Sequence, residues 1–111
     1  EYEEVAATTR SPDGRREVLV IRSGDGRDLR VSLDGARARS IGPVAMTALM
    51  DAAAAQGGPL STVEILPLDW ESPLRLRLRL EGWAAGREPA NLPPVEVTLD
   101  VESGLVYPAA P

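Results

Sequence analysis

Apolar and polar residues follow a strand-like pattern in two neighbouring segments of the first third of the chain. The first segment, REVLVIR (Arg16–Arg22), is apolar on both faces over its middle four residues, which is typical of a central strand covered on both sides. SGDG then gives a hairpin turn signal, and beyond it Leu29, Val31 and Leu33 alternate with polar residues. The two segments are therefore predicted to form a β-hairpin.

A helical pattern follows from Pro43 to Gln56. Proline stands in its first turn and two glycines come directly after its end, the expected asymmetry of start and stop signals. Alanines occupy much of the surface beside its apolar stripe, among them Ala45, Ala48 and Ala52. Because a sheet can cover only one side of such a helix, we expect another polypeptide to cover the other side.

Three more strands are predicted after the helix, beginning at Ser61, Pro73 and Val95. The order ββαβββ predicts an α+β fold. The chain would then be a single domain over residues 1–111, with a mostly antiparallel sheet of about five strands and one helix packed on a face of it. A small half-open β-barrel is the alternative. Residues 1–12 are expected to form an N-terminal arm or short edge segment, residues 82–94 a long loop and residues 105–111 an extended tail.

Leucine and arginine alternate in LRLRLRLEGW, which begins at Leu74. Arg75, Arg77 and Arg79 therefore share one face of a strand, at a spacing of roughly 6.6 Å that could follow the phosphates of an extended nucleic acid. Single-strand binders interleave aromatic residues on which bases stack, and none lies between these arginines. The predicted strand from Val95 has three acidic residues on its polar face: Glu96, Asp100 and Glu102. We therefore predict a charge ladder between the two strands, in preference to a phosphate track or a surface for an acidic protein.

Composition excludes several classes of chemistry. Hydrophobic residues make up 43% of the 111 residues and charged residues 26%, as in a folded soluble domain. The chain contains neither cysteine nor histidine, so it has no disulfide, no thiolate or imidazole metal ligand and no Ser-His-Asp arrangement. All 12 basic residues are arginines, yet the net charge is −5, which argues against a general nucleic-acid-binding protein. We predict no catalytic residue, no bound metal and no cofactor.

The sequence gives little information about location in the cell. No run of 18 or more apolar residues is present, so no transmembrane segment is predicted. The chain begins at Glu1 rather than at methionine, which is consistent with the mature form of a targeted or processed precursor.

Residues 61–86, STVEILPLDWESPLRLRLRLEGWAAG, resemble the strand-turn-strand of split-barrel proteins related to flavin- and haem-handling enzymes. The similarity rests on an acidic-apolar strand, a turn that contains proline and a strand that ends in Gly-Trp, and it covers about a quarter of the chain. It implies a barrel-like sheet with an apolar pocket for a small ligand or cofactor near Trp83. The histidine and lysine residues that those families use for cofactor contacts are absent from this sequence.

The sequence as a whole favours a non-catalytic protein-protein interaction module, either an accessory or assembly subunit of a larger complex or a domain of a larger protein. Tryptophans at strand ends are typical of interfaces, and long loops rich in proline and glycine often contact partners. The expected partners are other protein chains, and a split-barrel-like domain that binds a small ligand or cofactor is the alternative. The candidate interface residues are Trp70, Trp83, Arg87, Asn91, Leu92, Ala45, Ala48 and Ala52.

Overall fold

The computed structural model describes residues 3–24, 26–41, 51, 60–84, 90–91 and 94–108. Over these ranges every element is a β-strand, and the strands form two antiparallel sheets. In chain order they are β1 (Glu3–Arg10), β2 (Arg16–Ser23), β3 (Gly26–Leu33), β4 (Arg39–Ser40), β5 (Leu60–Ser72), β6 (Arg75–Ala84), β7 (Ala90–Asn91), β8 (Val95–Asp100) and β9 (Val106–Pro108).

The first sheet has the strand order β1-β2-β3-β4. β2 and β3 pair along their whole length, with Ser23 opposite Gly26 at the turn, so the predicted hairpin is confirmed. Because alternate residues of a strand share a face, one set of apolar residues in this hairpin turns inward. These buried residues are Val18, Val20, Leu29 and Val31.

The second sheet has the order β5-β6-β8-β9, with the short strand β7 also paired to β6. β6 pairs with β5 on one side and with β8 on the other, in both cases antiparallel. Its leucines turn inward and its arginines turn outward, as the alternation of LRLRLRL predicts. The inward residues of β6 and β8 are Leu76, Leu78, Leu80, Val95, Val97 and Leu99.

The inner faces of the two sheets pack against each other around one hydrophobic cluster. The cluster joins the inward residues of β2 and β3 to those of β6 and β8, together with Ile41, Ile65 and Val101. Such face-to-face packing of two antiparallel sheets is the arrangement of a β-sandwich. The inner face of each sheet is thereby buried, which explains why most strands alternate between apolar and polar residues. Ile21, on the other face of β2, is also buried.

The predicted α+β fold is wrong, because the described residues form two packed sheets and no helical element. The interior face that the helix was expected to cover is covered by the second sheet instead. The predicted helix from Pro43 to Gln56 lies outside the described residues except for Asp51, whose backbone is helical. Two further segments are also strands: β1, which was expected to be an arm or short edge segment, and β9, which lies in the extended tail.

Two long strands lie at sheet edges, and both are irregular. β1 has a register shift between Val5 and Ala7, so Ala6 is an extra residue against β2. β5, at 13 residues, contains Pro67 and has a further irregularity between Pro67 and Trp70. Such bulges leave residues unpaired and increase the local twist of a strand.

Candidate functional site

Among the candidate interface residues, Trp70 is placed most clearly. It lies on β5 opposite Leu76, is half-buried and packs against the hydrophobic cluster. Its indole Nε1 donates a hydrogen bond of 3.0 Å to the hydroxyl oxygen of Thr9 on β1. The side chain therefore links the edge strands of the two sheets, and a contribution of Trp70 to an interface stays a prediction.

The Trp70 contact gives a direct test of how the two edges are held together. Thr9→Val keeps the shape of the side chain but removes the acceptor of the indole hydrogen bond. We expect a loss of about 0.5 to 1.5 kcal/mol in the free energy of unfolding, since a partly buried donor would be left without its partner. Urea unfolding followed by tryptophan fluorescence measures this loss. Thr9→Ser, which keeps the hydroxyl, is the control and should lose less than Thr9→Val.

The remaining candidate interface residues are described in part or not at all. The backbone of Trp83 on β6 pairs with that of Asn91 on β7, so these two positions are neighbours in the second sheet. The others lie outside the described residues: Arg87, Leu92, Ala45, Ala48 and Ala52. An interface formed by this set stays a prediction.

The charge ladder on the outer face of the second sheet is confirmed for two of its three acidic residues. Arg75 lies opposite Asp100, with 3.9 Å between the charged atoms, and Arg79 lies opposite Glu96. Arg77 is hydrogen-bonded to Glu96 and lies 3.2 Å from a carboxylate oxygen of Asp69. Glu102 was predicted to join the ladder, but β8 ends before it. A phosphate track is therefore disfavoured, because carboxylates within the same sheet already neutralise these arginines.

A second group of charges joins the two sheets. Glu64 on β5 is hydrogen-bonded to Arg27 on β3, and its carboxylate lies 3.5 Å from the guanidinium of Arg22 on β2. The hydrogen bond from Arg27, with the positive charges of both arginines, lowers the pKa of Glu64 below its ordinary value. The side chain of Arg27 is only 15% exposed, so this ion pair is better shielded from water than the ladder.

Most of the described arginines are neutralised by a carboxylate of the same chain within 4 Å: Arg10, Arg15, Arg22, Arg27, Arg30, Arg75, Arg77 and Arg79. Three described arginines have no such partner within the described part of the chain: Arg16, Arg37 and Arg39. All three line the same pocket, which has a volume of about 300 Å³. Among the described residues, the arginines that lack a carboxylate partner are thus gathered at one place.

We call this feature the arginine pocket, and its lining residues are Arg16, Val31, Leu33, Ala36, Arg37, Arg39, Val101 and Glu102. Val31 and Val101 are buried in its floor, while Leu33 is 40% exposed. The lining contains three arginines and one acidic residue, Glu102. It therefore has a surplus of positive charge in a chain whose net charge is −5. The pocket therefore offers positive charge beside apolar surface.

Tight turns place the residues of the arginine pocket. After β3 the chain turns at Asp34 and Gly35, whose φ angles are 52° and 77°, and Ala36 N donates 2.9 Å to Leu33 O. This left-handed pair is the conformation that Asp-Gly favours, and Arg37, two residues after Gly35, lines the pocket. Beyond it, Arg39 pairs with Val31 as part of β4.

The turn that follows β8 contributes Val101 and Glu102 to the lining of the arginine pocket. The carboxylate of Asp100 accepts hydrogen bonds of 3.0 Å from the backbone N–H groups of Glu102 and Ser103. These bonds, the one from Ser103 foremost, lower the pKa of Asp100. The guanidinium of Arg39 donates a hydrogen bond of 2.9 Å to the carbonyl oxygen of Glu102, which joins β4 to the turn after β8.

The positive charge of Arg16 also lowers the pKa of two carboxyl groups that do not line the arginine pocket, those of Asp34 and Asp13. The pKa of Asp34 is lowered mainly by its hydrogen bonds with Arg15, and the positive charge of Arg16 lowers it further. The pKa of Asp13 is lowered first by the Ser11 hydroxyl and to a smaller extent by Arg16. Neither carboxylate is within 4 Å of Arg16, so its guanidinium remains open to another anion.

Within the described ranges, no group of three or more acidic residues is placed to hold a metal ion. The same ranges contain no helix long and apolar enough to cross a membrane. The arginine pocket was not predicted from the sequence, because Arg16 and Arg39 meet only through the pairing of β2, β3 and β4.

Comparisons with protein-family models, with curated proteins and with solved structures found no match to this chain.

Proposed function

We propose that the protein is a non-catalytic module that binds another polypeptide, as an accessory subunit or as a domain of a larger protein, and that the arginine pocket receives an anionic, partly apolar segment of the partner. One observation carries the proposal. The described arginines that lack a carboxylate partner, Arg16, Arg37 and Arg39, all line one pocket with apolar residues in its floor.

The contrast with the rest of the surface supports an anionic ligand. Elsewhere the fold pairs arginine with aspartate or glutamate, as Arg77 is paired with Glu96 and Asp69. Charged hydrogen bonds to a carboxylate are roughly twice as strong as neutral ones, and arginine makes them in bidentate form. At the pocket, a carboxylate of the partner would pair with the arginines, as carboxylates of the chain itself do at the other arginines named above.

A polypeptide fits this site better than a nucleic acid. A nucleic acid requires positive charge along an extended track, whereas the arginines that lack a carboxylate partner in the described part of this chain line one pocket of about 300 Å³, and the net charge is −5. The apolar floor formed by Val31 and Val101 has no counterpart in a phosphate backbone but suits an aliphatic side chain. Acidic and apolar groups are close neighbours in many polypeptide segments.

The test uses two model peptides and isothermal titration calorimetry. Both peptides are eight residues long, acetylated at the N terminus, with leucine at alternate positions and at the end. The anionic peptide has glutamate between the leucines and a free C-terminal carboxylate, whereas the neutral peptide has glutamine and a C-terminal amide. We expect the anionic peptide to bind at least tenfold more tightly, because one charged hydrogen bond contributes about 1.5 to 3 kcal/mol.

Matched variants connect the binding to the pocket. Arg16→Gln/Arg37→Gln removes two unpaired guanidinium groups and should weaken binding of the anionic peptide by at least about tenfold. Arg77→Gln/Arg79→Gln makes the same change of charge on the outer face of the second sheet and should leave the affinity within about twofold, because neither arginine lines the pocket. Equal affinity for the two peptides, no binding of either, or no difference between the two double variants would contradict the proposal.

A further inference from the structure

We propose that the anionic group received by the arginine pocket is the C-terminal carboxylate of a partner chain whose last residue is apolar. The inference rests on the proposed function, and it names the part of a polypeptide that the site recognises. It is carried by the size of the pocket and by the apolar and charged residues that line it.

The size of the pocket limits what can enter. A volume of about 300 Å³ is at the lower end of the range for small-molecule sites, and it suits a group of one or two residues. Its floor, with Val31 and Val101, offers an apolar surface for a single aliphatic side chain. The last residue of a chain brings one such side chain and one carboxylate together on the same carbon.

The charges suit a carboxylate held close to the backbone of the ligand. Arg37 and Arg16 have no carboxylate partner within the described ranges, and they line the same pocket as the buried residues Val31 and Val101. A terminal carboxylate is one bond from the Cα atom of its residue, so it stays near the floor when the side chain is inserted. A glutamate carboxylate is separated from the backbone by a flexible stem, and holding it in place costs side-chain entropy.

The experiment completes a two-by-two design with the peptides described above. A chain-end peptide has glutamine between the leucines and a free C-terminal carboxylate, and a side-chain peptide has glutamate and a C-terminal amide. Binding is measured by calorimetry and, independently, by the change in the Arg37 Nε–H resonance in NMR spectra. We expect the chain-end peptide to bind within about threefold of the anionic peptide and the side-chain peptide to bind at least about tenfold more weakly, the effect of one charged hydrogen bond.

The outcomes separate this inference from the proposed function. If the side-chain peptide binds as tightly as the anionic peptide and still depends on Arg37, the proposed function stands and the C-terminal assignment is overturned. If no peptide binds, or if Arg37→Gln changes none of the affinities, both are overturned. Arg37 is exposed and makes no hydrogen bond or ion pair among the described residues, so Arg37→Gln is expected to fold normally, which circular dichroism checks. N-acetyl-leucine is included as a free small carboxylate, and binding of it in place of the chain-end peptide would overturn the assignment to a polypeptide.

Discussion

Leu78→Ala is expected to lower the free energy of unfolding by about 2 to 5 kcal/mol, the range for removing a fully buried leucine. Leu78 is 0% exposed and lies on β6, the strand with a neighbour on each side, opposite Pro67 of β5 and Val97 of β8. Its side chain is part of the cluster that joins the two sheets. The truncation therefore leaves a cavity where the sheets pack together, and the atoms around it cannot close in completely.

Chemical unfolding followed by far-ultraviolet circular dichroism measures this loss. Leu66→Ala is the matched control, because it makes the same chemical change on β5 at a side chain that is 39% exposed. The control should cost less than about 1 kcal/mol, as expected for a partly exposed site. Similar losses for the two variants would mean that β6 does not lie at the centre of the core.

Glu64→Gln is expected to destabilise the protein by about 1 to 2 kcal/mol at pH 7, because the well-shielded guanidinium of Arg27 would lose its charged partner. It should also make stability less dependent on pH. The hydrogen bond from Arg27 and the charge of Arg22 lower the pKa of Glu64 in the folded state. The contribution of Glu64 is then fully present above the ordinary pKa of 4.5 and is lost as pH falls through the lower, folded-state pKa.

Urea unfolding of the two proteins between pH 7 and pH 3 tests this prediction. The difference in the free energy of unfolding between wild type and Glu64→Gln should be largest at neutral pH. It should decrease below about pH 4.5, where Glu64 takes up a proton in the unfolded state. Glu81→Gln is the control. Glu81 lies on β6 directly opposite Glu64, and its carboxylate is 3.9 Å from the guanidinium of Arg79. A gap that stays constant with pH would show that Glu64 is not held as a carboxylate by its arginines.

The local pairing of strands could be predicted from the sequence, but the arrangement of sheets could not. The β2-β3 hairpin follows from the alternation around Leu29 and Val31 and from its turn, and both features are local. β1 was missed because the extra residue at Ala6 interrupts the period of two, so its apolar residues do not fall on one face. The division into two sheets depends on which strands pack face to face, and the alternation within a strand is the same whether a helix or a second sheet covers it.

The charge ladder could be predicted from the sequence, whereas the arginine pocket could not. The ladder could be predicted because Arg75 and Asp100 lie on regular strands whose antiparallel pairing brings opposite charges together. The pocket combines Arg16 at the start of β2 with Arg37 and Arg39 beyond the turn after β3, and no motif links those positions. One feature of the sequence could have indicated the pocket. Arg37 and Arg39 stand at alternate positions, and the one acidic residue close to them in the sequence, Asp34, forms an ion pair with Arg15.

The irregular edge strands have a consequence for how the protein behaves at high concentration. A long, regular edge strand offers a row of free N–H and C=O groups on which a second copy can add, and repeated addition leads to fibrils. Here the two long edges are interrupted, β1 at Ala6 and β5 at and after Pro67, while β4 and β9 have only two and three residues. The same bulges that obscure the strand pattern in the sequence thus protect the folded sandwich against aggregation by sheet extension.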